Sequence, residues 1–175
     1  MRYFAYGSNL DWDQMRERCP SSAFVHVACL RDHALAFTRF SPTRGCGVAD
    51  VVHRPGHEVW GAVYELDAAD GRRLDAFEGY VPGRSRNGYR RVDARVTLDG
   101  PEARTVAVVT YEVCERQPAH VPPDRRYLDH LLRGAHTWGL PEAYQAALRD
   151  VALVDAAPVD PRSPCSVVER VHDEH

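Results

Sequence analysis

A stretch of nine residues near the N-terminus, Arg2-Tyr3-Phe4-Ala5-Tyr6-Gly7-Ser8-Asn9-Leu10, restricts this chain more than any other. Tyr3, Phe4 and Tyr6 favour a pleated, half-buried strand. Gly7-Ser8-Asn9 ends that strand with residues that accept positive φ or bond their own backbone. Asp11-Trp12-Asp13-Gln14 then opens a helix, with Asp11 as its cap and Gln14 placed to reach back. A strand, a glycine turn and a helix start in that order let successive N–H groups converge on one point, where the helix dipole favours negative charge. The expectation is a small site for an anion or a developing oxyanion around Tyr6 to Leu10.

The 175 residues suit one domain with a substantial core, and 44% hydrophobic with 27% charged residues is ordinary for a globular chain. A net charge of −3 gives no basic excess for nucleic acid, and no apolar run reaches membrane-spanning length. No basic segment followed by an apolar one opens the chain, so no signal peptide is expected. The five cysteines, Cys19, Cys29, Cys46, Cys114 and Cys165, are odd in number and scattered. Free thiols in a reducing cytoplasm follow from that pattern more readily than a disulfide framework.

Taken in order, the first helix should stop near Cys19-Pro20. Phe24–Ala28 and His33–Thr38 read as two strands with a turn near Arg31-Asp32, and Val48–His53 and Glu58–Glu65 as two more around Arg54-Pro55-Gly56. Asp67 caps a helix from about Ala68 to Glu78, with Gly79 just past its end. A Gly- and Arg-rich loop, Tyr80 to Gly88, precedes a hairpin of Tyr89–Leu98 and Val106–Val113 around Asp99-Gly100. Helices should follow from Asp124 to about Trp138 and from Glu142 to about Arg149. Six or seven strands and four helices, with hairpins dominating, favour an α+β fold: a mixed, mainly antiparallel sheet or small barrel with packed helices. The expected organisation is one domain over 1–154 and a surface tail over 155–175.

A second motif lies in the helix ending Leu74-Asp75-Ala76-Phe77-Glu78-Gly79. Leu74 and Phe77 should face the core, with Glu78 at the edge of that face. In the last turn the dipole opposes a negative charge, and partial burial raises a carboxylate pKa. Repulsion from Asp75 would act in the same direction. The outcome is a carboxylate able to take and return a proton near neutrality. Read from the pattern alone, an ordinary solvated glutamate at a helix end is the commoner case.

The two motifs together resemble the signatures of the gamma-glutamylcyclotransferase-like family, which includes the AIG2-like and butirosin-type cyclotransferases. Tyr3 to Leu10 resembles the family's opening signature, and Leu74 to Gly79 the segment carrying its acid/base glutamate, which maps onto Glu78. Glu58 to Tyr64 is similar to the strand before that helix, and Tyr89, Tyr111 and Tyr127 fall where relatives carry tyrosines around the substrate. The resemblance runs from about Tyr3 to about Leu148, and the loop Tyr80–Gly88 departs from it in being longer and more basic.

The resemblance implies a reaction in which a γ-glutamyl α-amine attacks its own γ-carbonyl, releasing 5-oxoproline and an amine. Glu78 would be the acid/base, and Tyr6, Gly7, Ser8, Asn9, Leu10, Tyr89, Tyr111 and Tyr127 would bind a small γ-glutamyl substrate. No metal or other cofactor is expected, and no nucleic-acid or membrane partner. Asn9 after Ser8, where the glutathione-specific branch has an aliphatic residue, points away from that branch. The alternatives are a butirosin-like removal of a γ-glutamyl group, a non-catalytic AIG2-like binding module, and hydrolysis at Ser8.

Other side chains carry weaker signals. Ser8 is not in a Gly-x-Ser-x-Gly elbow and has no histidine near it in sequence. His53 and His57 flank Pro55-Gly56, which breaks any helical face, so a solvated turn is the better reading. Arg84, Arg86, Arg90 or Arg91 could meet a carboxylate of the leaving portion. Cys29 and Cys114 read as buried thiols in strands, and Trp60 and Trp138 as core.

Overall fold

The computed structural model describes residues 1–101 and 103–154. The expected tail over 155–175, with Cys165, lies outside the described residues. Five strands, β1 (Arg2–Ala5), β2 (Ala23–Ser41), β3 (Cys46–Glu65), β4 (Tyr89–Leu98) and β5 (Thr105–Val113), close into a barrel in the order β1-β3-β2-β4-β5. The pairs are antiparallel except where β5 meets β1, at Tyr3 and Val109. The helices are α1 (Trp12–Arg18), α2 (Ala68–Phe77), α3 (Arg125–Thr137) and α4 (Glu142–Arg149). No helix among the described residues is long and apolar enough to cross a membrane.

The expected strand count was too high for a physical reason. Phe24–Ala28 and His33–Thr38 belong to one 19-residue strand, and both pair with the 20-residue β3 rather than with each other. Asp32, at φ 58°, stands at a bulge: Arg31 pairs with Glu58, but His33 pairs with His53. Gly56 N–H donates to Asp32 Oδ1 at 2.9 Å across that irregularity. The turn residues therefore bend a continuous ladder instead of ending it.

Helix α2 buries Asp70, Gly71, Leu74 and Asp75. Extending that stripe by one turn from Leu74 reaches Glu78, not Phe77. Phe77, expected in the core, is 56% exposed, and the Arg18 guanidinium lies 4.8 Å from its ring centroid. Cys114, expected to be buried, is exposed just beyond β5, whereas Cys29 is buried. Trp60 and Trp138 are partly buried against the core.

Helix α3 buries Tyr127, Leu128, Leu131, Gly134 and Ala135, a spacing that puts one face against the barrel. At Gly134 the helix touches the N-terminal loop. A Cβ there would stand 2.4 Å from both the carbonyl carbon and the oxygen of Leu10. Trp138 Nε1 and the Tyr64 hydroxyl both donate to that carbonyl, at 3.0 and 3.3 Å. The loop after β1 is thus clamped between helix and barrel.

The first half of β3 has an edge that no strand covers among the described residues, because β1 reaches only Ala62 to Glu65. Buried backbone groups need partners, and side chains supply them. Ala49 N–H donates to the Tyr127 hydroxyl at 3.0 Å, and Ala49 C=O accepts from Tyr89 at 2.8 Å. Arg116 Nη2 donates to Val51 C=O at 2.9 Å. Asp50, fully buried, accepts from Thr38 Oγ1 (2.8 Å), Val113 N–H (3.0 Å) and Arg116 Nε (2.6 Å).

Asp50→Ala should orphan the Val113 amide and open a cavity. Its cost should be about 3 kcal/mol, below that of a fully buried pair because Arg116 can turn to water. Urea denaturation checks this. Arg149→Ala, which removes an exposed pair with Glu142 at 3.1 Å, should change stability by less than about 0.5 kcal/mol.

Candidate active site

The chain leaves β1 at Ala5 and turns at Gly7 into a 3₁₀ turn over Ser8–Leu10. Leu10 N–H donates to Gly7 C=O (2.9 Å) and Asp11 N–H to Ser8 C=O (3.2 Å). The Gly7, Ser8 and Asn9 amides take no part in these bonds, and all three residues line the space beside the turn. Asp11 caps α1 through Asp13 N–H at 3.2 Å. Its other oxygen binds His130 Nδ1 and Arg133 Nη2, each at 2.5 Å. Burial pushes the Asp11 pKa up, but hydrogen bonds from Arg133 and His130 outweigh it and leave the carboxyl below its ordinary value. Gln14 does not reach back to the cap; its Nε2 donates to Asn9 Oδ1 at 3.2 Å.

Glu78, at the C-terminal end of α2, closes one side of this space. Asn9 Nδ2 donates to Glu78 Oε1 at 2.9 Å and to the Tyr3 hydroxyl at 3.0 Å. Arg18 Nη1 donates to Asn9 Oδ1 at 2.8 Å and stands 3.9 Å from Glu78 Oε1. The Glu78 side chain is only 15% exposed. Burial raises its pKa above 4.5, and attraction from Arg18, the Asn9 hydrogen bond and the more distant Arg44 and Arg39 recover only part of that rise. The expected repulsion from Asp75 does not operate, because that carboxylate is turned to Arg91 Nη1 (3.0 Å) and the Tyr111 hydroxyl (2.7 Å).

The cavity between loop and helix is walled by Tyr3, Tyr6, Tyr89, Tyr111 and Tyr127. Burial raises the pKa of all five hydroxyls, so each stays neutral near pH 7. Among the described residues lining it, Glu78 is the only carboxylate, and there is no histidine. The cavity opens into a wider vestibule, which shares Ser8, Glu78, Tyr89 and Tyr127 with it.

The comparisons with known proteins agree with this architecture. A profile of the AIG2-like family matches residues 58–148. Gamma-glutamylcyclotransferase of Homo sapiens is 35% identical over 156 residues, covering 85% of this chain and 77% of that protein. The Bos taurus protein of the same name is 33% identical over 153 residues, with the same coverage. A solved gamma-glutamyl cyclotransferase structure superposes with a TM-score of 0.80 at 31% identity, covering 89% of this chain and 90% of that one. The chain belongs to the gamma-glutamylcyclotransferase family.

In this cyclotransferase-family chain the cavity gathers Tyr6, Gly7, Ser8, Asn9, Glu78, Tyr89, Tyr111 and Tyr127, eight residues named from the sequence. Leu10 is a correction. Its side chain is fully buried and its N–H is bonded to Gly7, so it fixes the loop from behind and offers nothing to a ligand. The hydroxyls of Tyr6, Tyr89 and Tyr111 donate to the Tyr111 carbonyl, the Ala49 carbonyl and Asp75. Their own hydrogens are thus committed to the fold. Tyr3, read only as a strand residue, accepts from Asn9 at 3.0 Å and lines the cavity. Of the arginines singled out, Arg84 lines the vestibule, while Arg86, Arg90 and Arg91 pair with Glu115, Glu112 and Asp75. Sequence reading missed Arg18, Arg39 and Arg44, which also line the vestibule. Arg18 sits one turn past Gln14 on α1, the one signal that could have drawn it to the loop.

Because the folded-state pKa of Glu78 is raised, the native state holds the proton more tightly than the unfolded chain does. Stability is therefore lost as pH climbs from 4.5 through the folded-state value, and the loss persists above it. Glu78→Gln should raise Tm at pH 7, and the gain should disappear below about pH 4, where an ordinary glutamate is protonated. Thermal melts across that range check the sign.

Proposed function

We propose that this chain converts a γ-glutamyl-amino acid or γ-glutamyl-amine to 5-oxoproline and the free amine, with Glu78 moving the proton. The observation that carries the assignment is a lone carboxylate of raised pKa, bonded to Asn9 of the amide-lined loop, inside a cavity of neutral hydroxyls. The family's gamma-glutamylcyclotransferases support the reaction class. Free thiols at Cys19, Cys29, Cys46 and Cys114 fit a cytoplasmic enzyme.

The chemistry follows from the placement. Glu78 takes a proton from the substrate's α-ammonium, whose ordinary pKa of about 8 makes a modest demand on a carboxylate of raised pKa. The α-nitrogen attacks the γ-carbonyl carbon, forming the new ring C–N bond. The tetrahedral oxyanion lies against the Gly7, Ser8 and Asn9 amides, and one such donor is typically worth about 3 kcal/mol. Glu78 returns its proton to the departing nitrogen as the old C–N bond breaks, and the second proton left on the new ring nitrogen passes by the same carboxylate, so that the amine departs as its ammonium ion. Atoms balance without water. Both reacting groups belong to one molecule, so the walls serve mainly to hold a folded conformer.

Mass-spectrometric measurement of 5-oxoproline from γ-glutamyl dipeptides and γ-glutamyl amines tests the reading. Glu78→Gln should lower kcat by about 10²–10⁴, with substrate binding retained. Unchanged turnover would remove Glu78 from its role. Ser8→Ala should weaken activity by about tenfold without abolishing it. Complete loss with normal folding, and free glutamate as the wild-type product, would establish Ser8 as a nucleophile instead.

A further inference from the structure

The vestibule outside the cavity is far more basic than its task of admitting a substrate requires. Its lining holds Arg18, Arg39, Arg44 and Arg84, against Glu78 as its only acid among the described residues. Arg18 is engaged with Asn9 and Glu78. None of the other three pairs with a carboxylate among the described residues. By contrast, Arg86, Arg90, Arg91 and Arg116 nearby each face an acid within 4.0 Å.

The three are held in place by other means. The Arg39 guanidinium lies 5.7 Å from the Tyr89 ring centroid, and the missing side chain of Gly88 makes room for it: a Cβ there would stand 2.9 Å from Arg39 Nη2. Arg44 lies 5.1 Å from the Tyr127 ring centroid and donates to Ser8 Oγ at 3.2 Å and Gln14 Oε1 at 3.1 Å. Arg84 donates to Gly79 C=O at 2.7 Å and to Asn87 Oδ1 at 2.8 Å, and Asn87 also closes the loop onto Val81. Guanidiniums fixed by aromatic faces and neutral acceptors keep donor edges open for an anion.

We propose that the leaving portion of the substrate carries two carboxylates, so that this chain prefers γ-glutamyl conjugates of acidic amino acids. The proposal rests on the cyclotransferase reading, in which the γ-glutamyl group fills the inner cavity beside Glu78. Arg44, at the junction of the two chambers, meets the carboxylate that every departing amino acid carries. Arg39, over the Tyr89 ring, and Arg84, on the loop that follows α2, meet the second one. A neutral side chain there leaves both guanidiniums without a counter-charge from the substrate.

The test compares kcat/KM for 5-oxoproline release from γ-glutamyl-glutamate, γ-glutamyl-glutamine and γ-glutamyl-alanine. The acidic dipeptide should be favoured over its amide by about tenfold or more, mainly through KM, as one charge-assisted bidentate contact provides. The preference should shrink with added salt and should shrink again in Arg39→Gln and in Arg84→Gln. Arg84 is exposed on a loop, so its variant reports even where the Arg39 variant folds poorly. Equal use of the acid and the amide, or a preference that survives both substitutions, overturns the proposal while leaving the cyclotransferase reading intact. No product from any of the three, with 5-oxoproline released from a γ-glutamyl amine, overturns the proposal alone; no product from the dipeptides or the amines overturns that reading as well.

Discussion

One hydrogen bond joins the two halves of the site: the Asn9 side-chain amide donates to the Glu78 carboxylate at 2.9 Å. It spans a loop set by the first strand and a helix end set by the second motif. A carboxylate 15% exposed needs such a donor, since burial without a partner is costly. Asn9 is itself fixed through its oxygen by Gln14 and Arg18 of α1. The donor is therefore oriented before any substrate arrives. It also recovers only part of the burial penalty, which is why Glu78 stays above its ordinary pKa instead of collapsing into a strong ion pair.

The cavity walls do structural and chemical work with the same groups. Tyr89 and Tyr127 complete the uncovered edge of β3 at Ala49, a backbone that would otherwise present unpaired groups. Tyr111 takes Asp75 away from Glu78, so a nearby like charge is neutralised by hydrogen bonding and by Arg91. The result is a pocket in which five hydroxyls are too basic to titrate near neutrality and one carboxylate is left to carry the proton. The vestibule reverses the pattern, with charge concentrated in arginines and held by aromatic faces.

The two motifs and the hairpin β4–β5 were legible because their signals are local: glycine turns, caps and strand alternation. Glu78 was legible from its spacing after Leu74, yet the same reasoning misplaced Phe77, because only the packed stripe Gly71-Leu74-Asp75 decides which of two adjacent residues turns inward. Asp32 and Gly56 were correctly seen as irregular, but whether an irregular residue ends a strand or bulges within it depends on pairing with a distant segment. Arg39 and Arg44 were invisible for the same reason. They stand at the end of β2 and in the turn that follows, and meet the vestibule only through the tertiary fold. Leu10 was assigned to the ligand from its place in the motif, where packing against α3 gives it a different task.

The central claim is that Glu78 holds its proton more tightly than an ordinary glutamate. Carbon-detected NMR titration of ¹³C-labelled glutamate side chains, wild type beside Glu78→Gln, measures this directly. The account predicts one carboxyl resonance that titrates above 4.5 and is missing from the variant. A resonance missing from the variant that instead titrates at or below that value in the wild type would contradict it.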